Sequence, residues 1–301
     1  MTMSQNSELV AIIILNLNKK EDILECLGRV FKLDYSPYEV VVVDNGSTDG
    51  SVEAISKAFP EIHLIRSTNN LGAAGGRNLG IRYADKNFNY EYLFFLDNDT
   101  LVEASSLTKL TEALKNDEEA GFAFPKAYRE FPSNAIMSVG IYVNLYTGSI
   151  YDIGAGEIDR GQYNQPRYVH ACGGFGFLAK RKVFSQIGLF DDIFNPYGWE
   201  EVDLSLRARK RGFQILYVPD ALIYHKGGKV GRGPLPEYEK YKVRNLFILM
   251  RRHTSLLQWI CFVFFIPLKA FSLLIERLSH GDLRVVLAQV RGFVDGFIKR
   301  G

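Results

Sequence analysis

Unbroken apolar runs alternate with helical stripes along the N-terminal part of this chain. Val10–Leu15 is a continuous β-branched and aliphatic run, which predicts a central strand buried on both faces. Lys20–Leu33 carries Ile23, Leu24, Leu27, Val30 and Phe31 at the spacing of one helical stripe. Val40–Val43 predicts a second buried strand that ends at Asp44. Val52–Phe59 predicts a short helix and Ile62–Ile65 a third strand. Asn69–Gly76 has the composition of a Gly-rich loop, opening a helix near Arg77–Tyr83, and Tyr92–Leu96 predicts a fourth strand. Strands alternating with helices predict an α/β fold with a parallel sheet and helices on both faces.

Beyond about residue 121 the rhythm loosens. Tyr, Gly and Asn are frequent from Tyr128 to Tyr168, as in a mixed region that forms a groove. Lys180–Ile187 and Glu201–Arg211 predict helices, Phe213–Val218 a strand, and Ala221–His225 a short extended run. Lys226–Pro236 is rich in Gly and Pro and predicts a loop. Two apolar stretches close the chain. Leu256–Ile275 is long enough to span a bilayer core of about 30 Å, but Pro267 and Lys269 interrupt it. Leu283–Ile298 is amphipathic, with Arg284 and Arg291 against an apolar face.

Charge changes the picture at that end. The 301 residues carry a net +2, yet residues 237–301 hold eleven Lys or Arg against five Asp or Glu, a net +6, and the remainder is −4. A basic, aromatic-rich, apolar tail predicts helices lying at an anionic membrane surface, favoured over a spanning helix. A soluble oligomer interface, as in a homodimer, is the third reading. The expected division is a catalytic domain over 1–236 and a membrane-associating region over 237–301. Cys26, Cys172 and Cys261 have neither zinc spacing nor a disulfide framework, which fits a reducing compartment. Polar Met1–Glu8 lacks the pattern of a signal peptide. Nothing in the near-balanced charge predicts nucleic-acid binding.

Two acidic words carry the chemistry. Asp97-Asn98-Asp99-Thr100 follows the fourth strand directly, so two carboxylates arrive at the C-terminal sheet edge, where ligands sit in open α/β sheets. Hard oxygen ligands there suit Mg²⁺ or Mn²⁺, which usually arrive together with phosphates. Trp199-Glu200-Glu201-Val202-Asp203-Leu204 offers a separate carboxylate for general-base work. Asp44 ends a strand at the same edge and suits a nucleobase or ribose contact, or else a cap for the Asn45-Gly46 turn. The glycines of Asn69–Gly76 allow close backbone approach, and His225 suits a metal shell. The acids of the second word also suit the start of a helix, where they complement the dipole.

In order along the chain, these residues resemble family 2 glycosyltransferases, the inverting GT-A group. The matching wording is Asn16 on the first strand, Val41-Val-Val-Asp44-Asn45-Gly-Ser47-Thr48-Asp49-Gly, Asn70-Leu-Gly72-Ala-Ala-Gly-Gly-Arg77-Asn78, Asp97-Asn-Asp99, Gly173-Gly174, Trp199-Glu-Glu201-Val-Asp203-Leu and Tyr224-His225. It spans about residues 9–226, and the wording is similar to the bacterial rhamnosyltransferase-like branch. The resemblance implies a GT-A catalytic domain, Rossmann-like with a mostly parallel central sheet. It implies that Asp44, with Asn16 and Ser47, contacts the nucleobase or ribose, and that Arg77 and Asn78 line the nucleotide pocket. Asp97 then contacts ribose or the metal shell, Asp99 ligates the metal, and His225 is a second ligand. Glu201 falls at the base position. The family usually has Asp after a Glu here, so Glu200 stays a candidate too. Gly173 and Gly174 line the sugar and acceptor region.

The expectation is therefore a metal-dependent inverting hexosyltransferase. Its donor is a dTDP- or UDP-sugar, with rhamnose or a similar hexose. Its acceptor is a hydroxyl of a lipid-linked or cell-surface glycan, and its location is the cytoplasmic face of the plasma membrane. A nucleotidyltransferase and a nucleotide-sugar-binding scaffold are the competing classes. The first leaves the separate base word unmotivated, and the second leaves the intact acids unmotivated.

Overall fold

A computed structural model describes residues 8–196, 198–227, 236–266 and 283–298. The N-terminal half follows the predicted alternation closely: β1 (Val10–Asn16), α1 (Lys20–Val30), β2 (Tyr38–Asp44), α2 (Ser51–Ala58), β3 (His63–Arg66), α3 (Gly72–Asn87) and β4 (Tyr92–Asp97). The stripe of α1 buries Ile23, Cys26, Leu27 and Val30 against the sheet. Removing such side chains from water stabilises by about 1.5–3 kcal/mol each.

The Gly-rich segment differs from expectation. Gly72 onward is helix, not loop. Glycine is a poor helix former, by about 1 kcal/mol relative to Ala, but tertiary packing decides here. A Cβ on Gly76 would run into the side chains of Leu15 and Asn45, and one on Gly80, a turn further on, would come 2.7 Å from the Ile13 side chain and 3.2 Å from that of Val43. The glycines let α3 lie directly on β1 and β2.

The sheet is mixed rather than mostly parallel. After β5 (Thr100–Val102) and α4 (Ser106–Asn116) come β6 (Ala120–Arg129), β7 (Ile136–Ser138), β8 (Ile141–Asn144), β9 (Ser149–Asp152), β10 (Arg167–Val169) and β11 (Gly176–Lys180). Then follow α5 (Arg181–Ile187), α6 (Glu200–Lys210) and β12 (Gln214–His225). Spatial order is β10-β12-β6-β11-β4-β1-β2-β3, with β5 on β12 and β7 on β6, while β8 and β9 pair separately. β11 runs antiparallel between β4 and β6, filling the centre of the sheet, where Phe95 and Phe177 stack at 4.8 Å. β12 joins two segments expected to be separate. The irregularity between Val218 and Leu222, at Pro219, is a break in register and not an end of the strand.

These pairings place the acids. Asn16 lies opposite Asp44, and Leu15 opposite Asp97, so three strands end at one edge. The chain reverses after Asp97, and β5 pairs antiparallel with β12, with Thr100 opposite His225. The last residue of β12 is thus delivered to the acidic word.

At the C-terminal end, α7 (Pro236–His253) packs back on the α/β part through Ile248 and Leu249, beside Phe194 and Val202, while its Phe247 and Met250 are buried with Phe262. α8 covers residues 256–266, and α9 (Leu283–Ile298) packs along α7. Gly296 permits that approach, since a Cβ there would come 2.8 Å from the Arg244 carbonyl oxygen. No helix among the described residues is long and apolar enough to cross a membrane. The expected apolar stretch beyond residue 266, with Pro267 and Lys269, and most of the Lys226–Pro236 loop lie outside the described residues.

Candidate active site

The strand ends are tied together by Asn16, which is buried. Its Nδ2 donates to Asp44 Oδ2 at 3.1 Å, Ser47 Oγ at 3.2 Å and Ser51 Oγ at 2.9 Å, and its Oδ1 accepts from Asn98 Nδ2 at 3.0 Å. Asp44 is only 1 % exposed, and its Oδ1 accepts from the backbone N–H groups of Gly46 and Ser47. The turn-capping role is therefore occupied in full. Asn78 is turned away from the cleft. Its amide closes a pair of hydrogen bonds with the backbone of Phe190, at 2.8 and 3.0 Å.

Asp97, Asp99 and His225 are brought together, with one ligand atom of each within 4.8 Å of the others. His225 Nε2 is 3.0 Å from Asp99 Oδ1 and 3.8 Å from Asp97 Oδ2. Phe175 stacks on the imidazole at 5.1 Å and fixes its plane. Two hard carboxylates and an imidazole at this separation fit a divalent ion such as Mn²⁺ or Mg²⁺. Burial alone would push the Asp99 carboxyl up, but hydrogen bonds from His225 and Lys19 hold it well below the usual carboxylate range. Lys19 is a site residue that the sequence reading passed over. Its Nζ lies 2.5 Å from Asp99 Oδ2. The available signal was a lysine in the loop that leaves β1 at the sheet edge where Asp97 ends β4.

Arg77 links this cluster to the second acidic word. Its Nη2 donates to Asp97 Oδ1 at 3.2 Å and to the Gly174 carbonyl at 3.1 Å. Its Nη1 donates to Glu201 Oε1 at 2.6 Å and to Glu200 Oε1 at 3.4 Å. Arg77 is 5 % exposed, so its guanidinium must be compensated, and these acids do so. A Cβ on Gly174 would overlap the Glu201 carboxyl, so the glycine makes room for the contact.

The two glutamates differ in environment. Glu200 is 4 % exposed and its Oε2 accepts from the Gly198 N–H at 2.7 Å. Burial, reinforced by the charge of Glu201 and opposed by Arg77, pushes the Glu200 carboxyl up to about 8. Both glutamates line the cleft with Arg77, Asp97, Gly173 and Gly174, and the Glu201 side chain is the more exposed, at 13 % against 5 %. Asp203 serves the fold. It is fully buried and takes hydrogen bonds from Arg207, Arg252 and His253 at 2.8, 3.1 and 2.8 Å, which ties α6 to α7.

The sequence model of glycosyl transferase family 2 matches residues 11–188. The chain is 27% identical over 237 residues to an N-acetylglucosaminyl-diphospho-decaprenol L-rhamnosyltransferase of Mycobacterium tuberculosis, covering 73% of this chain and 76% of that protein. It is 28% identical over 210 residues to a low-salt glycan biosynthesis hexosyltransferase of Haloferax volcanii, covering 68% and 63%. Among solved structures, a mannosyltransferase from Pyrobaculum calidifontis in complex with GDP-Man and Mn²⁺ shares the fold, with a TM-score of 0.61 at 16% identity, over 99% of this chain and 89% of that one. GalNAc-T7 with UDP, GalNAc and Mn²⁺ superposes with a TM-score of 0.63 at 17% identity, over 82% of this chain and 48% of that one.

Proposed function

Because the chain belongs to glycosyl transferase family 2 and is a glycosyltransferase, we propose that it transfers rhamnose or a similar hexose by an inverting single displacement. The donor is a nucleoside-diphosphate sugar, dTDP- or UDP-linked. The acceptor is a hydroxyl of a lipid-linked glycan, a reading that the name of the Mycobacterium tuberculosis relative supports. The carrying observation is that one guanidinium holds both Asp97 of the carboxylate–histidine cluster and Glu201 of the cleft.

Asp99 and His225, with Asp97, would hold Mg²⁺ or Mn²⁺, which when bound neutralises charge on the departing diphosphate. Glu201 accepts the proton of the acceptor hydroxyl. That oxygen attacks the anomeric carbon as the bond to the diphosphate oxygen breaks, and the electron pair leaves with the diphosphate. Arg77 holds the base in place through its 2.6 Å contact with the carboxylate. Glu200, with its carboxyl raised by burial, serves as a neutral support for Gly198 and the start of α6. Ser47 stands at the rim on which the nucleoside sits, with buried Asp44 and Asn16 holding it from behind, while Gly173 and Gly174 leave room for the sugar.

The exposed apolar residues of α8 and α9, among them Leu256, Phe264, Leu287 and Phe297, support peripheral membrane attachment at the cytoplasmic face. The direct test of the reading is a donor panel. Purified protein with Mn²⁺ is offered dTDP- and UDP-sugars together with N-acetylglucosaminyl-diphospho-citronellol. Product of inverted anomeric configuration from one donor supports it, and retained configuration refutes it.

A further inference from the structure

The catalytic cleft, about 390 Å³, has a second half that the transfer chemistry leaves unused. Beyond the glutamates it is walled by Met137, Ile141, Trp199, Tyr238 and Lys242. Tyr238 and Lys242 stand on α7, so a helix of the C-terminal region completes the cleft. This wall is firmly built. Trp199 sits at φ 72°, in a left-handed conformation that L side chains rarely adopt. Its Nε1 donates to the Lys242 carbonyl at 2.9 Å. Asn245 Nδ2 donates to the carbonyls of Phe194 and Gly198 at 2.6 and 3.0 Å. Arg244 donates to those of Ile193 and Asn195 at 3.0 and 2.6 Å.

Lys242 is the cation of this half. Its Nζ lies 5.5 Å from the centroid of the Trp199 ring and 5.9 Å from that of Tyr238. Among the described residues it forms no ion pair, although the field of the lysine reaches Asp152 across the cleft. A half-buried ammonium held over aromatic rings without a carboxylate partner is ready for an anion. The donor diphosphate already has its place at the other end, with Asp97, Asp99 and His225.

We infer that Lys242 forms an acceptor subsite that binds the phosphate through which an acceptor sugar is linked to its carrier. The inference rests on the proposed transfer to a lipid-linked acceptor. The sugar ring lies against Trp199 and Tyr238 with its hydroxyl at Glu201, and the phosphate meets Lys242. The carrier chain then leaves along α7 toward the exposed apolar faces of α8 and α9. This arrangement explains why the basic C-terminal helix enters the active-site wall.

The test separates binding from turnover. The full chain in EDTA, where the carboxylate cluster has no cation to hold a diphosphate, is titrated with citronellyl diphosphate and with the neutral allyl N-acetylglucosaminide. Lys242→Met keeps the stem over Trp199 and removes the charge, and Lys242→Arg keeps the charge. We expect the Met variant to bind the diphosphate about tenfold or more weakly, the usual scale for a charged hydrogen bond. The Arg variant should restore binding, and the neutral glycoside should bind all three proteins alike. In turnover, the Met variant should raise KM for the diphosphate-linked acceptor and leave donor KM unchanged. Equal diphosphate binding by wild type and Lys242→Met, equal loss for both probes, or no binding by wild type overturns the inference. If binding behaves as expected but no donor is turned over, the proposed transfer fails and the anion subsite stands.

Discussion

Arg77 Nη1 and Glu201 Oε1 lie 2.6 Å apart, although the residues are 124 positions apart in sequence. The same guanidinium reaches Asp97, so the cation-binding end and the base end of the cleft share one buried charge. Arg77→Lys keeps the charge but lacks the planar fork that meets the carboxyl groups of Asp97, Glu201 and Glu200 together. We expect kcat to fall by about a hundredfold, the scale of a small misplacement of catalytic groups, with the fold retained by circular dichroism. Normal kcat in this variant would show that the bridge has no part in transfer.

Asp99 is expected to be the main protein anchor for the cation. Chelation should abolish turnover of the wild-type protein, and Mn²⁺ should restore it. Asp99→Ala should stay folded and inactive at any Mn²⁺ concentration, because only His225 and Asp97 remain of the cluster. Full activity of Asp99→Ala in the presence of chelator would exclude the cation from the reaction.

The raised carboxyl of Glu200 makes stability depend on pH. In the folded state it holds its proton up to about 8, whereas the unfolded chain releases it near the ordinary value. The folded state therefore binds more protons between those two values, and stability falls as pH rises through that window. Glu200→Gln removes this loss. Its melting temperature relative to wild type should rise between pH 5 and pH 8.5 by several degrees, given about 2–4 °C per kcal/mol for a domain of this size. A difference that is flat with pH would mean that Glu200 is ionised in the fold.

Much of this was legible in the chain because buried parallel strands leave unbroken apolar runs. Val10–Leu15, Val40–Val43 and Tyr92–Leu96 located β1, β2 and β4, and their ends located Asn16, Asp44 and Asp97. The central antiparallel strand Gly176–Lys180 was not expected. A short, fully buried strand has no alternation, and nothing local reports which way it runs. The helix at Gly72 was hidden because the need for glycine there arises from Asn195, against Gly72, and from Leu15 and Asn45, against Gly76, all far away in sequence. The role of Arg77 as a bridge was equally invisible, since its partners come from β4 and α6. The same holds for Asn78, whose partner is the backbone of Phe190.

The tail makes its own prediction. Full-length protein should float with liposomes containing anionic lipid, since each basic residue near such a surface contributes about 1 kcal/mol. Added salt should weaken the attachment without abolishing it, because the exposed side chains of α8 and α9 also insert. Protein that stays monomeric and never floats would leave these helices as packing elements only.

The most direct test of the account compares Glu201→Gln with Glu200→Gln in steady-state transfer at saturating donor and Mn²⁺. Glutamine keeps the size and the contact with Arg77 but cannot accept a proton. With Glu201 as the base, Glu201→Gln should bind donor normally and lose about a hundredfold or more in kcat, while Glu200→Gln stays within a few-fold of wild type. Normal transfer by Glu201→Gln, with the loss falling on Glu200→Gln or on neither, would contradict the assignment.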